Sequence, residues 1–128
     1  MLIKKSRFRR FLDFLRSGEI VQTVGVLGKV TNEKRGECAY CVEGAMCEFA
    51  LREGLSLRRS MDPLKQIVYT DENGLNMTHS ATVEVKKYIG LPPKLANSVA
   101  YMNQNDCGKD FNQLADMLEA DAKPYLET

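Results

Sequence analysis

The apolar residues of this 128-residue chain come in short blocks, each cut off by Gly, Pro or a cluster of charges, and the period inside the blocks changes along the chain. That pattern restricts the fold to layers of helix packed on strand. Phe8, Phe11, Leu12 and Leu15 recur at helical spacing ahead of Ser17-Gly18. They predict an amphipathic helix over residues 5–17, with Arg7 and Arg10 on its wet side. Residues 20–30 are rich in Val and read as a strand, bulged at a glycine, Gly25 or Gly28. Residues 32–37 form a charged turn, and residues 41–53 a second helix. Val42, Met46, Phe49 and Ala50 share one face of that helix, and Gly54 closes it.

Residues 55–63 read as irregular. Asn73-Gly74, between apolar runs at 67–69 and 75–77, predicts a hairpin. A short helix over 82–89 stops at Gly90, and Pro93 opens another that runs to about residue 102. Asp110 and Gln113 have capping-box spacing before a last helix with Phe111, Leu114, Ala115 and Leu118 as its apolar stripe. Pro124 marks a tail that frays from about residue 121. The expected fold is therefore one α+β domain over residues 1–128. It has a small, mostly antiparallel sheet packed with about five helices. Apolar residues at 44 % and charged residues at 27 % suffice for a core at this length.

No apolar run reaches the ~18 residues of a membrane span. Arg9, Arg10 and Asp13 interrupt the N-terminal apolar residues, which excludes a signal-peptide core. A reducing cytoplasm is the expected setting, where the four cysteines stay reduced.

Several phrases occur in a particular order: Leu15-Arg16-Ser17-Gly18-Glu19-Ile20-Val21-Gln22, then Tyr40-Cys41-Val42-Glu43-Gly44-Ala45-Met46-Cys47-Glu48-Phe49-Ala50. Tyr88-Ile89-Gly90-Leu91-Pro92-Pro93 follows. The last is Met102-Asn103-Gln104-Asn105-Asp106-Cys107-Gly108-Lys109-Asp110-Phe111, running on through Leu114-Ala115-Asp116. This order resembles a group of short uncharacterised bacteriophage and prophage proteins. Their phrases read L-R-S-G-x-Y-x-Q, Y-C-C-L-G-V-L-C-D-L-A, W-A-G-L and L-N-D-S-G-x-S-F-x-x-I-A-D. Val42 and Glu43 stand where those proteins often carry Cys and Leu, and the loop before Gly108 is longer here. The resemblance implies phage origin and a place in the host cytoplasm. It implies no particular activity.

The residues themselves supply no catalytic set. Cys38-x-x-Cys41 with Cys47 and Cys107 could close a tetrahedral zinc site, but the spacing is not that of two Cys-x-x-Cys knuckles. Buried thiols acting as small hydrophobes account for them, so no metal and no cofactor are expected. His79, the one histidine, is read as a surface or capping residue rather than as partner to a nucleophilic thiol. No Gly-rich phosphate loop or hydrolase elbow occurs. The segment at residues 103–110 makes turns and caps a helix, and it could also face a ligand. Asn103, Asn105, Asp106 and Lys109 are therefore candidate binding residues, with Arg52, Arg58 and Arg59 supplying charge for an anion. The segment is expected to fold against residues 40–47.

The expected function is that of a non-enzymatic phage accessory protein, a host-defence antagonist that sequesters a small anionic nucleotide signal or binds a host protein. A homodimer would deepen its site. The alternatives are a nucleic-acid-binding module that uses the basic N-terminal helix, and a hydrolase or transferase working through Cys107 or Asp106. Net charge of +1 and few aromatics weigh against nucleic acid.

Overall fold

The structure is a computed structural model and describes residues 5–23, 28–70, 80–92, 94–95, 97–98 and 109–125. Helix α1 spans Lys5–Arg16 and buries Phe8, Phe11, Leu12, Phe14 and Leu15. Gly18 ends it with φ +76°, a conformation that favours a residue without Cβ. Next come β1 (Val21–Gln22), β2 (Gly28–Asn32) and β3 (Glu37–Tyr40). Helix α2 (Val42–Arg52) is followed by β4 (Arg58–Met61), β5 (Gln66–Thr70) and α3 (Ser80–Ile89). Helix α4 (Phe111–Ala122) runs into a 3-10 turn at Lys123–Tyr125.

The strands form one mixed sheet in the order β1-β3-β2-β5-β4. Among the described residues only the β1–β3 pairing is parallel. Helix α2 lies at the centre of the molecule. Every residue from Val42 to Ala50 is buried, as befits a helix with neighbours all round. The sheet packs on one side of it, where Tyr69 Oη approaches Gly44 O at 3.5 Å. On the other side Phe49 meets Phe11 edge-on at 5.4 Å and Phe14 at 6.0 Å. Helices α3 and α4 complete this layer, and Phe111, Leu114, Ala115 and Leu118 are all buried as their spacing predicts. The Asp110–Gln113 capping box forms in both directions.

The architecture is α+β with a mostly antiparallel sheet, and several finer expectations change. The described residues hold four α-helices and a 3-10 turn rather than about five helices. Lys94, Leu95, Asn97 and Ser98 are helical, and the rest of the helix expected after Pro93 lies outside the described residues. Residues 20–30 contribute to two strands that do not pair with each other. Among the described residues the register irregularity falls between Val30 and Asn32 and not at Gly28, while Gly25 lies outside the described residues. Gly28 has a different role: a Cβ there would meet Tyr40 Cδ1 at 2.9 Å and Ile67 Cβ at 3.0 Å, so the bare backbone admits the tyrosine ring.

Residues 55–63, read as irregular, contain β4. The hairpin partner of β5 is this strand, ahead of it in the chain. The segment at 71–79, with the expected Asn73-Gly74 turn, lies outside the described residues. Polar Arg58-Arg59-Ser60 hides the strand from a reading based on apolar alternation, because all four residues of this edge strand are exposed. Arg7 is not on a wet face: it donates to Tyr88 O and lies over the Tyr88 ring at 4.1 Å. Helix α4 and its 3-10 turn continue past residue 121, with Ala122 fully buried. Among the described residues no helix is long and apolar enough to cross a membrane.

Candidate functional site

The site grows from a charge that α2 carries into the interior. Glu48 lies in the second turn of a helix buried on all sides, and it is only 4 % exposed. A carboxylate in such a place needs a countercharge and donors for its lone pairs. Strand β4 brings Arg59 onto the face of the sheet that α2 covers, opposite Tyr69 in the register. Arg59 Nη1 donates to Glu48 Oε1 at 2.7 Å and to Tyr40 Oη at 3.2 Å. Tyr69 Oη donates to Glu48 Oε2 at 2.9 Å. Both carboxylate oxygens are thereby occupied. Burial, reinforced by the Glu48 charge, pushes the Tyr40 hydroxyl up to about 12 and raises that of Tyr69 as well. Both phenols stay protonated through the physiological range, as the donor role of Tyr69 requires.

Glu48, Arg59 and Tyr40 of this network form the inner wall of a cleft of ≈ 530 Å³, lined also by Glu19, Ile20, Val21, Glu37, Cys38 and Arg52. An adjoining hollow of ≈ 490 Å³ shares Glu48, Arg52 and Arg59 and adds Leu51. Arg52 comes from the last turn of α2, pairs with Glu19, and stacks its guanidinium over the Phe14 ring at 4.7 Å. The cleft therefore sets two guanidiniums against three carboxylates, Glu19, Glu37 and Glu48. Its wall differs in firmness. The Arg59–Glu48 pair has one member buried, whereas Arg52 and Glu19 are both half-exposed or more. A pair of the second kind is worth about 0–1 kcal/mol and exchanges readily for another anion.

Of the residues expected at a site, Arg52 and Arg59 come together in this cleft. Arg58 does not, because the alternation of β4 sends it to the opposite face of the sheet from Arg59. Lys109 does not line the cleft either. Its carbonyl accepts from Gln22 Nε2 at 2.8 Å, and Gln22 opposes Tyr40 in the β1–β3 register. One side chain thus ties the residue before the α4 cap to β1, the neighbour of the strand that ends at the α2 cap. Residues 103–108 of the segment expected against residues 40–47 lie outside the described residues. Asn103, Asn105, Asp106 and Cys107 lie outside the described residues, as does His79.

Sequence reasoning passed over Glu48, Tyr40, Tyr69 and Glu19. A signal for the first was present: in a helix apolar on every side, an acidic residue has no solvent to face and must find a partner.

The cysteines serve locally. Cys41 is the N-cap of α2 and accepts from Gly44 N–H at 3.4 Å. Cys47 is fully buried, and burial pushes its thiol up, away from thiolate chemistry. Cys38 faces the cleft and lies 3.9 Å from Gly36 O. Among the described residues no group of three or more His, Cys, Asp or Glu is arranged to hold a metal ion. No family model, curated protein or solved structure matches the chain.

Proposed function

We propose that this chain is a non-enzymatic phage accessory protein that antagonises a host defence by binding, with the cleft between α2 and the sheet holding a small anionic, nucleotide-like ligand. The phage setting rests on the sequence resemblance alone. The choice of site rests on one observation, the convergence of Arg52 and Arg59 on a single cleft of ≈ 530 Å³. Small-ligand sites occupy roughly 300–1,000 Å³. An anionic group on the ligand displaces Glu19 from Arg52, while Glu48 keeps Arg59 in place. The three carboxylates disfavour a polyanion, so the fitting ligand carries one or two negative charges and offers hydroxyl or amino donors to Glu37 and Glu19.

The nucleic-acid alternative draws less support. Arg9 and Arg10 pair with Glu119 and Glu53, so much of the basic charge of α1 is already neutralised within the molecule. Calorimetric titration with nucleoside monophosphates and dinucleotides tests the proposal. A member of this series is expected to bind, and Arg52→Gln to weaken it tenfold or more with the melting transition unchanged. Absence of binding across the series, or binding indifferent to Arg52→Gln, would overturn it.

A further inference from the structure

Strand β4 ends the sheet, and the hairpin joining it to β5 fixes which of its backbone groups face outward. Asp62 N–H donates to Gln66 O at 3.0 Å, which makes Asp62 and Gln66 a hydrogen-bonded pair of the ladder. Bonded and non-bonded pairs alternate along an antiparallel ribbon. Ser60–Val68 and Arg58–Thr70 are then the next bonded pairs, and the N–H and C=O groups of Arg59 and Met61 point away from β5. The opposite side of β5 agrees: Val30 N–H donates to Lys65 O at 3.0 Å, so Lys65 and Ile67 bond toward β2. Among the described residues no backbone group meets the outward groups of Arg59 and Met61.

We infer that this edge pairs with the same edge of a second copy of the chain, antiparallel, about a two-fold axis through Ser60. The register follows from the side chains. An axis through Arg59 sets two guanidiniums face to face. An axis through Met61 puts Pro63, which lacks an N–H, opposite Arg59. Centred on Ser60, Arg59 exchanges hydrogen bonds with Met61 of the partner subunit, and the small Ser60 meets itself. Arg58 then faces the partner's Asp62, twice by symmetry. Opposite charges in directly opposed positions stabilise a ladder and like charges destabilise it. Arg58 makes no ion pair among the described residues, so it is free for this contact. Asp62 takes both turn amides, Leu64 N–H and Gln66 N–H, on Oδ1 at 2.9 Å, which leaves Oδ2 for the guanidinium.

Two exposed apolar side chains gain cover in this arrangement. Leu64, 78 % exposed at the hairpin tip, follows Pro63, which this register sets opposite Leu57 of the partner subunit where the ladder ends. Met61, 47 % exposed, falls beside the partner's Arg59 and adds an apolar wall to the hollow lined by Leu51 and Arg52. Each copy so completes the other's cleft. The ladder is short and buries less than the ~1,000 Å² of a permanent interface, so the dimer forms in a concentration-dependent way.

Sedimentation equilibrium of the full chain, without ligand, tests this independently of what the cleft binds. The weight-average mass is expected to rise towards twice the monomer's with concentration. Met61→Pro deletes one outward N–H and leaves every β4–β5 hydrogen bond in place. It should weaken the dimer tenfold or more while the dilute protein melts as before. Arg58→Glu sets like charges opposite Asp62 and should weaken it similarly, a second probe should the proline variant not fold. A wild-type protein that stays monomeric at high concentration, or a dimer that neither change weakens, would overturn the inference.

Discussion

Arg59 has two functions at once. Its guanidinium is half-exposed at the cleft, and it is also the countercharge that lets Glu48 sit 4 % exposed in the interior. Replacing it by Met keeps the aliphatic stem and leaves a buried carboxylate with Tyr69 as its remaining donor. Breaking a fully buried pair costs about 3–5 kcal/mol. Because Arg59 is itself half in water, about 2–3 kcal/mol is the expected loss for Arg59→Met at neutral pH. Adding Glu48→Gln removes the stranded charge, so the double variant should recover most of that loss. Urea denaturation of the two single variants and the double variant measures the coupling directly. If Arg59→Met costs no more than a surface substitution, the pair does not hold the wall of the cleft. The same reasoning makes Arg52, whose partner Glu19 is exposed, the cleaner probe of binding.

At the scale of elements, the β4–β5 hairpin carries visible strain. Its loop is a turn closed by Lys65 N–H to Asp62 O at 2.9 Å, with Pro63 in the position that suits its fixed φ. The last residue of this turn must enter the left-handed region to re-join the strand, and there the chain has Lys65, at φ +63°, rather than Gly or Asn. A side chain in that conformation costs about 1–2 kcal/mol. Its ion pair with Glu33 at 2.7 Å is exposed on both sides and returns little. Lys65→Gly should therefore stabilise the protein by about 0.5–1 kcal/mol, read as a shift in urea midpoint at constant slope. An unchanged or lower midpoint would mean that the loop draws more from the lysine than its geometry suggests.

This hairpin is also where sequence reasoning failed, and the cause is physical. Helices α1, α2 and α4 are written in the chain by apolar spacing and by their caps, because each buries a stripe and must end its backbone ladder. Strand β4 buries no row of side chains. Its sequence Arg58-Arg59-Ser60-Met61 is set by an edge position and carries no apolar alternation. The cleft was legible only through its guanidiniums. Glu48 was hidden because the residues that satisfy it, Arg59 and Tyr69, come from strands that only the fold brings to it.

Over the whole molecule, the uneven charge of the sequence resolves into a clamp between the two ends of the chain. Arg16 reaches Asp116 at 2.6 Å and Glu119 at 3.1 Å, and Arg9 reaches Glu119 at 2.7 Å. Arg10 holds Glu53, just past α2, at 2.6 Å. The hydrogen bond from Arg10 lowers Glu53 below the ordinary value of 4.5, and the hydrogen bond from Arg16 does the same for Glu119. A carboxylate whose folded value is depressed binds protons more readily in the unfolded chain. Its contribution is therefore fully present above 4.5 and is lost as the pH falls through the lower, folded value. Stability should hold steady from about pH 7 to about pH 5 and then decline in acid. Arg16→Gln should lower stability at neutral pH by about 0.5–1 kcal/mol and flatten the acid limb, since Glu119 then titrates closer to its unfolded value. Because the pairs lie at the surface and partly in water, added salt should shrink the same difference. Urea midpoints of wild type and Arg16→Gln, followed from neutral to acid pH at low and high salt, check all three effects together. If the two proteins lose stability in parallel throughout the acid range, the pairing between α1 and α4 contributes nothing to the fold, and the guanidiniums of α1 stand free to meet an external polyanion.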